Sequence, residues 1–222
     1  CRFCSVPEGA VEPPDPNEPA RIARVSKEMG LKYVVITSVT RDDLADGGAG
    51  IFAATIKAIR NQIPDACVEA LIPDFQGNKE ALFTVLHAKP DVLNHNIETV
   101  ARLYPRVRPQ ANYRRSLQLI QRARESNPEL PTKSGLMLGL GEYSDEIEKT
   151  LEDMLQAGCR ILTLGQYLQP SKNHLTVERY IPPGEFKAWR KKALKMGFME
   201  VASGPFVRSS YHAKELFRTI KA

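Results

Sequence analysis

Apolar and polar positions follow two alternating rhythms along this chain. Short runs such as Tyr33-Val34-Val35-Ile36-Thr37 carry apolar, β-branched residues with no polar alternation, and so do Val68 to Ile72, Val92 to Ile97, Gly135 to Leu138, Ile161 to Leu164 and Met199 to Ala202. Such runs predict parallel strands buried on both faces. Between them the period lengthens to that of a helix. After Asn17, the residues Ile22, Val25 and Met29 recur at helical spacing and predict an apolar face, with Gly30 ending the pattern. Ser144 is the expected N-cap of a second helix, with Asp145 and Glu146 placed to suit the helix dipole. Ile147, Leu151, Met154 and Leu155 form its face and Gly158 closes it. Phe186, Trp189 and Ala193 form a third face, closed by Gly197. Each of these glycines is followed by a strand within about three residues, the short connection of repeated βα units.

Repeated βα units give a barrel or an open doubly wound sheet, and in both the ligands bind at the carboxyl ends of the strands. That rule selects Thr37, Ser38 and Asp46 after the first strand and Asp74 after the second. It selects Asn94, Asn96 and Glu98 around the third, then Gly139, Gly141 and Glu142, then Gln166 and Gln169, and Ser203 after the last. The Pro-rich stretch Pro7 to Pro19 reads as a loop entering the first helix. No linker or low-complexity segment interrupts residues 1–222, which are expected to form one domain.

Composition narrows the class only a little. The 222 residues are 42% hydrophobic and 26% charged, as in an ordinary globular protein. No long uncharged apolar run predicts a membrane helix, and no signal peptide is visible. A net charge of +5 with 7% aromatic residues carries no nucleic-acid signature. The densest basic stretch, Lys187, Arg190, Lys191, Lys192 and Lys195, falls on one helix; it reads as a solvated face or as a dock for an acidic protein. Four cysteines are too few for a secreted disulfide scaffold, so a reducing compartment is expected.

Cys1 and Cys4 form a CxxC pair, compatible with a redox dithiol, half a zinc site or part of an iron–sulfur site. The prolines that follow oppose the helix a thioredoxin-type pair would open, and the four histidines show no spacing that completes a zinc site. Cys67 and Cys159 each lie at the start of a strand, on the face opposite a catalytic one, and read as packing thiols. Three loops are candidates for ligand approach or for plain connections: Thr37 to Ala49 with Gly47-Gly48, Leu136 to Glu142 with Gly139 and Gly141, and Arg208 to Ala213.

Cys-Arg-Phe-Cys-Ser-Val-Pro from residue 1, Thr-Arg-Asp-Asp-Leu-Ala-Asp-Gly-Gly at 40–48, Asn-His-Asn-Ile-Glu-Thr at 94–99, Thr-Lys-Ser-Gly-Leu-Met-Leu-Gly-Leu-Gly-Glu at 132–142 and Arg-Ser-Ser-Tyr at 208–211 occur in this order. Together they resemble the lipoyl synthase family of radical S-adenosylmethionine enzymes, from residue 1 to about residue 217. The resemblance implies an α/β fold, a partial parallel (β/α) barrel of the radical SAM type, here with its first strand and N-terminal extension missing. It implies two [4Fe–4S] clusters, one binding S-adenosyl-L-methionine and one auxiliary cluster serving as sulfur donor. The reaction implied is radical insertion of two sulfur atoms at C6 and C8 of a protein-bound N6-octanoyl-lysine.

By the same resemblance Cys1 and Cys4 match the second and third cysteines of a CxxxCxxC motif. Ser209 or Ser210, with a slight preference for Ser210, matches the serine ligand of the auxiliary cluster. Asp46, Gly47 and Gly48 are expected at the methionine end of the cofactor, with Asn96, Glu98 and Lys133 as further cofactor or substrate contacts. The implied partners are octanoylated lipoyl carrier proteins, whether dehydrogenase-complex lipoyl domains or the glycine cleavage H protein, and an electron donor such as ferredoxin or flavodoxin. No nucleic acid and no membrane are implied; a monomer is expected, in the cytoplasm or, in a eukaryote, in an organellar matrix or plastid. The upstream cluster ligands are absent, so the fragment by itself is expected to be inactive. The rival readings are another sulfur-inserting radical enzyme such as biotin synthase, which the Asp-Gly-Gly and Arg-Ser-Ser-Tyr segments oppose, and a non-catalytic module that recognises a carrier protein.

Overall fold

The structure, a computed structural model, describes residues 1–6, 9 and 12–221. It divides into two compact units, residues 7–94 and residues 1–6 with 95–222. Within the expected loop Pro7 to Pro19, residues 7, 8, 10 and 11 lie outside the described residues.

In the first unit the order is α1 (Glu18–Glu28), β1 (Tyr33–Thr37), α2 (Ala49–Gln62), β2 (Cys67–Leu71), α3 (Lys79–His87) and β3 (Val92–Asn94). The strands are parallel in the order β1-β2-β3, with Val34 beside Val68 and Ala70 beside Leu93. Pro19 stands in the first turn of α1, where its missing N–H costs nothing. The buried face of α1 is not the expected one. Pro19, Ala23 and Ser26 point inward, while Val25 and Met29 are 45% and 66% exposed. Small residues on that face let α1 lie close against α2. Asn78 caps α3, its side-chain oxygen accepting from Ala81 N–H at 3.1 Å.

The second unit follows with α4 (Tyr104–Val107), α5 (Tyr113–Ser126), β4 (Thr132–Leu138), α6 (Ser144–Gln156), β5 (Ile161–Gln166), α7 (Pro183–Met196), β6 (Glu200–Gly204) and α8 (Ala213–Lys221). Its strands are parallel in the order β4-β5-β6, with Leu164 beside Leu136 on one side and Ser203 on the other. One continuous core joins Leu136, Leu138, Leu151, Met154, Leu162, Leu164, Phe186 and Trp189, so the expected faces of α6 and α7 do point inward. Gly30, Gly158 and Gly197 all stand left-handed, with φ of +64°, +97° and +117°, as helix-ending glycines should.

Two local expectations change. Ser144 is the first residue of α6 rather than its cap; Glu146 reaches back instead, its Oε2 accepting from Tyr143 N–H at 2.8 Å. The third predicted strand ends at Asn94, not Ile97. Residues 95–98 run on irregularly against β4, with His95 N–H on Lys133 C=O and Glu98 N–H on Gly135 C=O. Glu98 itself is left-handed at φ +69°, which ends regular pairing there.

Candidate active site

In the first unit the Asp46-Gly47-Gly48 segment lies beyond the carboxyl end of β1 and opens α2. Gly47 and Gly48 are left-handed, with φ of +60° and +86°. A Cβ on Gly47 would stand 2.8 Å from Cδ1 of Phe75, so the backbone there has room for nothing larger. Asp46 holds this shape with both oxygens: Oδ1 accepts from Gly48 N–H at 2.9 Å and Oδ2 from Gly50 N–H at 2.8 Å. Its carboxylate thus sits at the N-terminus of α2, where the helix dipole favours negative charge. A cleft of about 390 Å³ beside the loop is lined by Asp42, Leu44, Gly47, Phe75, Gln76 and Asn78, among others. Phe75 and Gln76 are both left-handed, at φ +47° and +51°, with Asp74 Oδ1 accepting from Gln76 N–H at 3.0 Å. Two consecutive strained residues at a cleft wall are a feature of functional loops. Only Asp74 of this turn drew notice in the sequence.

Deeper in the same unit Glu69, wholly buried in β2, accepts from the Tyr33 hydroxyl at 2.7 Å and from Asn94 Nδ2 at 2.8 Å. Burial and the neighbouring Glu69 charge push the Tyr33 phenol far above its ordinary value, so it stays protonated and donates.

In the second unit Asn96 is the hub. Its Nδ2 donates to Ser209 Oγ at 2.6 Å and to Glu98 Oε1 at 3.1 Å. Its Oδ1 is buried with no partner among the described residues, a vacancy for a donor. Gly135 leaves the space Asn96 needs, because a Cβ there would lie 3.3 Å from Asn96 Oδ1 and collide with Thr163 Oγ1. Arg108 braces the segment, Nη1 donating to the carbonyls of Asn96 at 3.1 Å and Ile97 at 3.2 Å. Burial raises the Glu98 carboxyl above the usual carboxylate range, against the opposing pull of the Arg108 charge and the Asn96 bond. Ser209 is half-buried in this cluster and Ser210 is exposed.

Lys133 is elsewhere. It is 1% exposed, the second residue of β4, and Glu98 pairs further along that strand at Leu136. It belongs to the interior near the strand's amino end rather than to the carboxyl end where ligands bind. The Gly139 loop is also filled by the chain itself: Glu142 accepts from Gly139 and Leu140 N–H, and a Cβ on Gly139 would collide with Gln166 and Arg179. Gln166 is a structural amide, bonded to Ile181 N–H and Arg179 C=O at 2.8 and 3.1 Å. Of the basic residues on α7, Lys192 pairs with Glu148 at 2.5 Å and Arg190 with Glu200 at 3.3 Å. Lys187, Lys191 and Lys195 remain exposed.

Cys1 and Cys4 share one turn, closed by Cys4 N–H on Cys1 C=O at 3.4 Å, and both thiols are free. Cys159 is fully buried, and burial pushes its thiol up to about 12; Cys67 opens β2 at the strand's amino end. Among the described residues no group of three or more His, Cys, Asp or Glu is placed to hold a metal. Two free thiols on one turn are a donor type that iron–sulfur clusters take.

Parallel βα units with polar residues beyond their strands' carboxyl ends are the class of the parallel α/β barrel enzymes, and the Cys1–Cys4 turn is compatible with an iron–sulfur site. Residues 1–154 match the Radical SAM superfamily, and the chain belongs to it. Solved structures agree on the fold: the Streptococcus suis SuiB bound to precursor peptide SuiA has a TM-score of 0.70 at 11% identity, covering 97% of this chain and 48% of that one. HydG, a maturase of the [FeFe]-hydrogenase, gives 0.67 at 16% identity over 99% of this chain and 59% of that one. Within the superfamily the chain belongs to the lipoyl synthases, sulfur-inserting radical SAM enzymes. The lipoyl synthase of Rubrobacter xylanophilus is 55% identical over 97% of this chain and 67% of its own length. That of Methylococcus capsulatus is 56% identical over 97% and 67%, and that of Chlorobium phaeovibrioides 56% over 96% and 75%. Membership implies S-adenosylmethionine and a [4Fe–4S] cluster as cofactors.

Proposed function

We propose that this protein inserts sulfur at C6 and C8 of an octanoyl chain amide-linked to a carrier lysine, using one cluster to bind S-adenosylmethionine and a second, auxiliary cluster as sulfur source. The observation that carries this reading is the bond from Asn96 to Ser209. It holds a serine of the Arg-Ser-Ser-Tyr segment against the Asn96–Glu98 cluster although 113 residues separate the two.

When bound, S-adenosylmethionine on a reduced cluster supplies a carbon radical able to take hydrogen from an unactivated C–H bond. The chain's own part is to bind and orient. Cys1 and Cys4 supply two thiolates, the donor type that suits iron–sulfur clusters. Asp46 fixes Gly47 and Gly48, whose backbone groups would be open to the methionine end of the cofactor. Asn96 and Glu98 would offer acceptor oxygens to a cofactor hydroxyl. Asn96 Nδ2 donates to Ser209 Oγ and would hold that oxygen as the auxiliary cluster's ligand, which favours Ser209 over the exposed Ser210. A hydroxyl is a harder, weaker ligand for iron than a thiolate, which suits a ligand that must let go. Together these candidates would supply only part of a two-cluster ligand set. The partners are octanoylated lipoyl domains or a glycine-cleavage carrier, and a ferredoxin or flavodoxin as electron donor. The setting is a reducing cytoplasm or organellar matrix, with the enzyme as a monomer.

The test is anaerobic turnover of the reconstituted full-length protein with an octanoylated carrier domain, read by mass spectrometry. The expected product is the carrier with two added sulfurs, formed with two 5′-deoxyadenosines. Deoxyadenosine without any sulfur-bearing carrier would sink the reading. A Ser209→Cys variant should bind its iron more tightly and transfer sulfur more slowly; undiminished transfer would remove Ser209 from its role.

A further inference from the structure

The connection from β5 to α7 does more than join them. Its segment Gln169–Leu175 lies along the Cys1–Cys4 turn, with Leu175 N–H on Arg2 C=O at 3.4 Å and His174 Nε2 at 3.0 Å from the Cys4 carbonyl. We propose that His174 is a positioning residue for the iron–sulfur turn, fixing the Cys4 carbonyl and with it the direction of the Cys4 thiolate. This rests on the reading of Cys1 and Cys4 as cluster ligands.

A carbonyl oxygen can only accept, so His174 Nε2 carries a proton and donates. His174 Nδ1 lies 2.8 Å from Ser171 Oγ, whose hydroxyl supplies the complementary donor to a neutral ring. Ser171 Oγ also accepts from Asn173 N–H at 3.3 Å, and Gln169 Nε2 donates to His174 C=O at 2.9 Å. The ring is therefore oriented by its own loop before it meets the turn. The loop is anchored in turn by the Tyr167 hydroxyl, which donates to Leu175 C=O at 2.7 Å.

The turn needs such a brace. Its internal bond from Cys4 to Cys1 is long, and the two short bonds that fix it lie one at each end. Arg2 N–H is 3.0 Å from Val107 C=O, and Cys4 C=O is 3.0 Å from His174. Beyond Cys4, Ser5 and Val6 are exposed. Partners that orient metal ligands from outside the coordination sphere tune affinity and electronics as strongly as many ligands do. A carbonyl pinned by an N–H donor also draws electron density from the adjoining peptide, so both geometry and spectrum should respond.

The experiment compares wild type, His174→Ala and His174→Gln in the full-length protein after anaerobic reconstitution. The change that S-adenosylmethionine makes in the EPR spectrum of the reduced protein identifies the cluster on the Cys1–Cys4 turn. His174→Ala should lose iron from that cluster to a chelator about tenfold faster, the scale of one lost hydrogen bond, and alter its line shape. The unfolding midpoint of the iron-free protein should stay put. His174→Gln, which keeps an N–H donor, should recover most of the retention. Wild-type retention and line shape in His174→Ala would overturn the proposal. So would a fall in the iron-free midpoint large enough to account for the loss, which would make His174 a folding residue. A wild type with no S-adenosylmethionine-dependent spectrum would instead bring down the proposed function, and this inference with it.

Discussion

Glu98 shows how one residue can be held at a cost for use. Its backbone is left-handed at φ +69°, a conformation that costs a non-glycine residue about 1–2 kcal/mol, and its carboxyl is buried enough to titrate high. A folded-state pKa above the unfolded value means that the unfolded chain releases its proton first as pH rises. Stability contributed by this group is therefore present below the unfolded carboxylate pKa and is lost as pH rises through the folded value. Glu98→Gln removes that penalty and keeps the backbone. Urea unfolding should show the variant gaining on wild type as pH is raised from 4.5 toward neutral. Affinity for S-adenosylmethionine should fall about ten- to hundredfold, the range for a lost hydrogen bond to a charged group. A variant less stable than wild type at the upper pH, or one with unchanged affinity, would contradict the assignment. The sequence placed Asn96 and Glu98 near a strand's carboxyl end and Ser209 in a candidate loop, but nothing local links positions 113 residues apart, so their meeting was not legible. His174 stood among four histidines without metal spacing; its one local signal was Ser171, three residues before it.

At the scale of elements, local chemistry was readable, and the choice of face was readable in α6 and α7 but not in α1. Helices that end in glycine announce themselves, and the apolar stripes of α6 and α7 were wide enough to fix their inward face. In α1 the apolar Ile22, Val25 and Met29 and the small Pro19, Ala23 and Ser26 lie on different sides at equivalent spacing. Close approach to α2 selects the small side, a tertiary fact absent from the pattern. The start of α6 likewise turned on a partner distant in sequence. Glu146 caps Tyr143 N–H and accepts from Arg102 Nε at 2.6 Å, while Arg102 Nη2 also reaches Gly141 C=O at 2.8 Å. The Arg102 bond, more than the Tyr143 bond, holds the Glu146 carboxyl below the usual carboxylate range against burial. Glu146→Gln should cost about 1–2 kcal/mol at pH 7, lowering the midpoint by about 2–6 °C for a chain of this size. With a lowered folded pKa the stabilisation is present above the unfolded value and is lost as pH falls through the folded one. Thermal melts of the iron-free protein should therefore show the gap closing as the solution is acidified below pH 4; a gap independent of pH would mean that the charge has no part in the cap.

Over the whole molecule the decisive quantity is how many iron ligands these residues supply. On the proposed reading, Cys1 and Cys4 would supply two thiolates from one turn and Ser209 one oxygen. Cys159, buried just ahead of β5, and Cys67, opening β2, both lie at strand amino ends, away from the carboxyl ends where ligands bind. Two four-iron clusters would require at least three protein ligands each, and at least half of that set is not among these candidates. The chain spans 67% to 75% of the length of the lipoyl synthases compared with it, so those proteins have further residues to supply ligands. Anaerobic reconstitution followed by iron and sulfide analysis should then give about eight irons in the full-length protein and far fewer in residues 1–222 alone. Four or fewer irons in a fully reconstituted full-length protein would eliminate the auxiliary cluster. Ser209 would then be only a hydrogen-bond acceptor for Asn96, and the chemistry would shrink to a single-cluster radical reaction. About eight irons in residues 1–222 alone would be the opposite failure, because ligands would have to come from groups that are buried or at the wrong end of their strands.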